Sequence, residues 1–141
     1  MSNRMANSPY LNSIFDHERH KNAVKWTAKR IEALKEKLKI EAIAFTGQSG
    51  AGVAYPVSYL TGIPLICVRK DNRENSHGCD VEQANTEVKN YVIIDDFMET
   101  GSTVDRILEK LRDLTCVAII LYNHYGENRT IYKGIPGYTH H

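Results

Sequence analysis

Two features of the chain point to an α/β fold, a parallel sheet with helices on both faces. Short β-rich apolar runs alternate with helical patterns, in the order helix, strand, helix, strand, long loop, strand, helix, strand. One of those runs, Val92-Ile93-Ile94, ends in adjacent carboxylates, Asp95 and Asp96. The carboxyl end of a central strand is where open α/β sheets bind ligands.

Met1 to about Ser13 reads as loosely ordered, because Pro9, nearby asparagines and few apolar groups argue against a helix. The expected division is a flexible segment, 1–15, ahead of a single domain, 16–141. From about Asp16 to Lys39 the spacing predicts a helix with one apolar stripe, Val24, Ala28, Ile31, Leu34 and Leu38. Trp26 lies off that stripe and is expected to cover the sheet edge rather than a neighbouring subunit.

Ala42 to Thr46 is the first strand, running into Gly47-Gln48-Ser49-Gly50-Ala51-Gly52. A helix over roughly Ala51 to Leu60 stops at Gly62, ahead of Pro64. Leu65 to Val68 is the second strand, and the polar stretch from Arg69 to about Thr86 reads as a mobile loop. Val92 to Ile94 then reads as a buried strand. Val104, Ile107, Leu108 and Leu111 follow helical spacing, with Ser102 or Thr103 as the expected cap. Cys116 to Tyr122 is a further strand, and Thr130-Ile131-Tyr132 a candidate edge strand in a tail of glycines, proline and tyrosines.

The totals restrict the function classes. Lys and Arg number 18 against 17 Asp and Glu, so charge requires neither a nucleic-acid nor a membrane partner. No apolar run would span a bilayer and the amino terminus lacks a signal-peptide core, which makes a cytoplasmic location the default. Cys67, Cys79 and Cys116 form no metal-type pair and are too few for a disulfide framework. Cys67 and Cys116 fall in apolar runs and are expected in the core.

The chemistry concentrates between Tyr91 and Thr103. Thr100-Gly101-Ser102-Thr103 offers backbone N–H groups, hydroxyls and a helix amino terminus, a cradle for a phosphate. Carboxylates beside an anion cradle suit a sugar phosphate. Gly47 to Gly52 fits the start of a P-loop, but Val53 and Ala54 stand where its lysine and hydroxyl belong, so that motif fails.

The stretch Tyr91 to Thr103 resembles the phosphoribosyl pyrophosphate signature of type I phosphoribosyltransferases: an apolar strand, two acids, two mostly apolar residues, one variable residue, then Thr-Gly-x-Thr. The same order of elements extends the resemblance over about residues 40 to 125. It implies a three-layer, Rossmann-like phosphoribosyltransferase core with an N-terminal helix. It also implies a magnesium-dependent transfer of the phosphoribosyl group from phosphoribosyl pyrophosphate to a nitrogen base, and commonly a homodimer. On that resemblance Asp95 and Asp96 hold the ribose hydroxyls, directly or through metal-bound water. Thr100, Gly101, Ser102 and Thr103 hold the 5′-phosphate. Gln48, Ser49 and Gly50 meet pyrophosphate through backbone amides; taken alone, a tight turn needing glycine explains that loop equally well, but beside the main signature binding is favoured. Arg69 and Lys70 are expected to neutralise the leaving group. Arg73 and His77, in a stretch similar to the mobile loop of orotate-type enzymes, are candidates to close over it or simply a solvated loop.

Glu99 departs from the small residue of many members. The 6-oxopurine enzymes carry an Asp there that exchanges a proton with the base, which makes Glu99 a catalytic candidate, tilts the reading toward a purine, and leaves a solvent-facing acid as the alternative. The lysine those enzymes carry after the next strand is absent; Asn123 is a candidate for a base edge, and Tyr122 or Tyr125 for stacking. A non-catalytic regulator that retains the sugar-phosphate site is the second reading, and a structural subunit the third.

Overall fold

The computed structural model describes residues 9–70, 80–84, 87–124 and 129–140, with the side chains of Tyr10, Arg129 and Thr130 outside that set. Arg73, His77, Cys79 and Tyr125 therefore lie outside the described residues. Seven strands form one mixed sheet: β1 (Ala42–Phe45), β2 (Leu65–Val68), β3 (Val81–Gln83), β4 (Asn90–Asp95), β5 (Thr115–Leu121), β6 (Arg129–Tyr132) and β7 (Ile135–Thr139). Their spatial order is β3-β2-β1-β4-β5-β7-β6. The five central strands are parallel, and β3 and β6 are antiparallel edges.

Strand pleat sorts the side chains into two cores. Ile43 and Phe45 of β1, Val92 and Ile94 of β4, and Ala118 and Ile120 of β5 face one way. There they meet α2 (His17–Leu38) and α3 (Gly47–Thr61), through Val24, Ala28, Ile31 and Leu34 of α2 and Val53 and Val57 of α3. Ala42, Ala44, Ile93, Ile119 and Leu121 face the other way, against Val104 and Ile107 of α4 (Ser102–Lys110). The arrangement is three layers, with β4 and β1 buried at the centre.

The long first helix forms as its stripe requires. Asp16 caps it, its carboxylate accepting from the Arg19 N–H at 3.0 Å, and Lys39 closes it in the left-handed region at φ 53°. Ahead of it the chain is more regular than composition suggests. Pro9–Leu11 forms a 3-10 turn and Asn12–Phe15 the short helix α1. Leu11 is buried, and Ile14 rests so closely on Gly52 that a Cβ there would meet it at 2.9 Å. Tertiary packing supplies what local propensity lacks. Trp26 packs against the α2/α3-side core and stacks on His140 beyond β7, with ring centroids 4.8 Å apart.

Three further elements, α3, β3 and β7, differ from the sequence reading. α3 begins at Gly47, a turn earlier than expected, so the glycine-rich stretch is the helix's own first turn. The helix also tolerates Pro56 in its interior. Proline has no N–H for the Gly52 carbonyl, and His20 Nε2 of α2 donates to that carbonyl at 2.7 Å instead. β3 occupies part of the stretch read as a loop. In the tail, Lys133 (φ 51°) and Gly134 (φ 80°) make a two-residue turn that pairs β6 with β7. Pro136 concealed β7 from pattern reading; its pairing with β5 starts only at Gly137, past the proline. Cys67 and Cys116 pack against the two cores as expected, while staying partly exposed.

Candidate functional site

Three connections at the carboxyl ends of β1, β2 and β4 surround a cavity of about 250 Å³. Thr46 and Ser49 line it from the β1–α3 connection and Lys70 from beyond β2. Asp95 to Val104, the whole β4–α4 connection, forms the remaining wall. Asp95 and Asp96 are each 6% exposed and both line the cavity, so their burial is a burial within the site.

The two carboxylates are held differently. Asp95 Oδ1 accepts from Ser49 Oγ at 3.2 Å, across to the β1–α3 turn. Asp96 Oδ1 accepts from the Phe97 N–H at 2.8 Å, which orients it locally. Burial, and then the adjacent Asp96 charge, push the Asp95 carboxyl up to about 7. Such a pair is poised to take up a cation or a hydroxyl-rich ligand. Among the described residues no cluster of three or more His, Cys, Asp or Glu forms a metal site. A divalent ion would therefore need oxygens from a ligand in addition to these two acids.

Two helix amino termini face the same space. At α4 the cap residue is Gly101, at φ 85°, and neither Ser102 nor Thr103 makes the side-chain cap expected of it. Thr100 Oγ1 instead accepts from the Ser102 N–H at 3.3 Å. The N–H groups of Gly101, Thr103 and Val104 have no acceptor among the described residues, which leaves them available to an anion. At α3, Thr46 likewise makes no cap bond. Its Oγ1 is buried on the cavity wall without a partner among the described residues. A buried orphan hydroxyl is costly unless a ligand or water completes it. Thr46 entered the sequence reading only as the end of a strand, so this candidate was missed; a hydroxyl on the last residue before a helix was the available signal.

The remaining candidates divide. Glu99 is exposed at the rim of the cavity. Lys70 reaches over Gly47, with its Cε 3.0 Å and Nζ 3.1 Å from where a Cβ would stand, which puts its ammonium above the first turn of α3. Arg69 is not on the cavity wall: its Nε donates to Glu82 Oε1 at 2.7 Å within the β2–β3 hairpin. Gly50 is a packing glycine, since a Cβ there would approach Phe45 Cβ at 3.0 Å and the Ile94 carbonyl at 3.3 Å. Gln48 is exposed and off the cavity lining.

Tyr122 does not offer a stacking face. It is 2% exposed, and its hydroxyl donates to the Ser49 carbonyl at 2.6 Å, tying the end of β5 to the β1–α3 turn. Burial and the Asp96 charge raise its phenol well above the ordinary range, so it stays a donor. Asn123 lines a neighbouring cleft with Ser13, Arg19, Asn22 and His140, one residue beyond Tyr122.

A mostly parallel three-layer sheet with paired acids beside a Thr-Gly-Ser-Thr helix start is the architecture of the type I phosphoribosyltransferases. The chain belongs to the PRTase-CE family, whose model matches residues 2–133. It is 32% identical over 89 residues to the orotate phosphoribosyltransferase of Malacoplasma penetrans, covering 60% of this chain and 43% of that one. It is 29% identical over 116 residues to the orotate phosphoribosyltransferase of Staphylococcus epidermidis, covering 77% and 57%. The chain thus spans about half the length of these relatives. Among solved structures, the adenine phosphoribosyltransferase of Thermoanaerobacter pseudethanolicus is similar in fold, with a TM-score of 0.59 and 21% identity over 82% of this chain and 73% of that one. Among the described residues no helix is long and apolar enough to cross a membrane.

Proposed function

We propose that this protein transfers the 5-phosphoribosyl group between phosphoribosyl pyrophosphate and a nitrogen base, with release of pyrophosphate. The observation that carries the reading is the single cavity joining two buried carboxylates, a lysine and two helix amino termini. In this reading Asp95 and Asp96 hold the ribose hydroxyls, and the Thr100–Thr103 connection holds the 5′-phosphate. The first turn of α3, Lys70 and the Thr46 hydroxyl receive the pyrophosphate. Magnesium, held by substrate oxygens and approached by the two acids through water, would add positive charge where pyrophosphate gathers negative charge.

The reaction breaks the bond between the anomeric carbon and the pyrophosphate oxygen, and the base nitrogen forms the new bond. Positive charge develops on the sugar and favours nearby carboxylates, while Lys70 and the α3 N–H groups stabilise the departing anion. The protein's contribution is mainly placement and electrostatics.

The cleft beside Asn123 is the proposed base subsite. The names of the relatives favour orotate over the purine that Glu99 alone suggests, and Arg19 in this cleft would offer a cation to a base bearing a carboxylate. The test is pyrophosphate release on mixing the protein with phosphoribosyl pyrophosphate, Mg²⁺ and a panel of orotate, uracil, adenine, guanine and hypoxanthine. Turnover with orotate alone supports the orotate assignment; turnover with purines alone restores Glu99 as the specificity residue. Binding of the sugar phosphate with no turnover for any base would replace the enzyme by a regulator of the same fold.

A further inference from the structure

The C-terminal hairpin has no role in the reading above, yet it reaches the loop assigned to the 5′-phosphate. The Tyr132 side chain lies directly over Gly101: its hydroxyl would collide with any Cβ there, and its Cζ stands 2.6 Å from that position. Gly101 also needs its φ of 85°, so both conformation and space restrict the residue to glycine. The Tyr132 hydroxyl donates to Asp105 Oδ1 at 2.8 Å, and Lys133 Nζ meets the same oxygen at 2.8 Å. Asp105 sits in the first turn of α4.

The position of Asp105 poses an electrostatic problem. A carboxylate in the first turn suits an empty helix amino terminus, but it repels an anion bound there. Tyr132 and Lys133 answer it by fastening the carboxylate to the hairpin and placing an ammonium against it. The ammonium and then the phenol hold the Asp105 carboxyl below its ordinary range, as expected of an engaged carboxylate.

We propose that Tyr132 and Lys133 are positioning residues for phosphate binding: Tyr132 sets the Gly101 turn, and Lys133 cancels the Asp105 charge so that a phosphate dianion is accepted at α4. This rests on the assignment of that loop to the 5′-phosphate. Neither residue touches the ligand; both act through Gly101 and Asp105.

The experiment is calorimetric titration of the full chain with ribose 5-phosphate and, separately, with magnesium pyrophosphate, for the wild type, Tyr132→Phe, Lys133→Met and Lys133→Met/Asp105→Asn. Ribose 5-phosphate affinity should fall by about two- to fivefold in each single variant, the size of one first-turn charge or one lost hydrogen bond. Pyrophosphate affinity should be unchanged. The double variant should recover ribose 5-phosphate binding, because the charge that Lys133 cancels is gone. Equal weakening of both ligands, or no recovery in the double variant, would overturn the positioning role in favour of general structural support. Unchanged affinities in the single variants would overturn it too. A wild type that binds pyrophosphate but not ribose 5-phosphate would remove the loop assignment itself, and the inference with it.

Discussion

Replacing Asp95 by Asn should make the protein more stable, and increasingly so as the pH rises. The Asp95 carboxyl is pushed from an ordinary 3.8 up to about 7 by burial and by Asp96. The folded protein therefore keeps this proton up to neutral pH, while the unfolded chain releases it near 3.8. Wherever the folded state binds more protons than the unfolded one, stability falls with increasing pH. Well below pH 3.8 both states are protonated and the group costs nothing. Between pH 5 and pH 7 the penalty grows by roughly 2 kcal/mol if one residue bears it all. The two acids titrate as a pair, so one substitution recovers roughly 1–2 kcal/mol of that rise. For a domain of this size the gain is about 3–6 °C in melting temperature. The assay compares thermal or urea unfolding of the wild type and Asp95→Asn at pH 5 and pH 8, where pH-independent effects of the substitution cancel in the difference. An advantage equal at both pH values, or larger at pH 5, would refute a protonated, destabilising Asp95. Catalysis should move the opposite way, with turnover lost, since the same unfavourable charge is the one proposed to meet the sugar.

Tyr122→Phe should cost about 1 kcal/mol in urea unfolding by leaving the Ser49 carbonyl without its donor, and should raise the apparent pyrophosphate Kd if that turn is the pyrophosphate site. Gly50→Ala should destabilise by about 1–3 kcal/mol despite its better helix propensity, because Phe45 Cβ and the Ile94 carbonyl belong to rigid strands; a gain in the urea midpoint would show that the turn can yield. His20→Ala should cost about 1 kcal/mol by orphaning the Gly52 carbonyl, and Pro56→Ala in the same background should restore it, since alanine returns the helical N–H; a double variant no more stable than His20→Ala would mean that the imidazole bond does not serve the proline.

Much of the fold was legible because its cause is local. The stripe Val24 to Leu38, the apolar runs at 42–45, 65–68 and 92–94, and the acids that end β4 all announce themselves within a few residues. The α/β class, the layer assignment and the cluster from Asp95 to Thr103 follow from such patterns, and the chain's place in its family agrees with them. Where the reading failed, the cause lay across the chain. Composition argued against α1, which packing of Ile14 on Gly52 secures. Proline obscured β7, which ladders with β5 and β6 hold.

The same division applies to the site. Sequence alone determined that two carboxylates and a phosphate-type turn are consecutive, because a strand, a turn and a helix start are encoded by neighbours. Only the tertiary structure decided how the other candidates are used. Ser49 meets Asp95 across 46 residues and Tyr122 meets Ser49 across 73. Arg69 is claimed by Glu82, while Lys70 turns over Gly47. Periodicity reports which face of an element is buried. Which distant polar group then satisfies a given donor depends on strand order and helix placement, and no short window of sequence contains those.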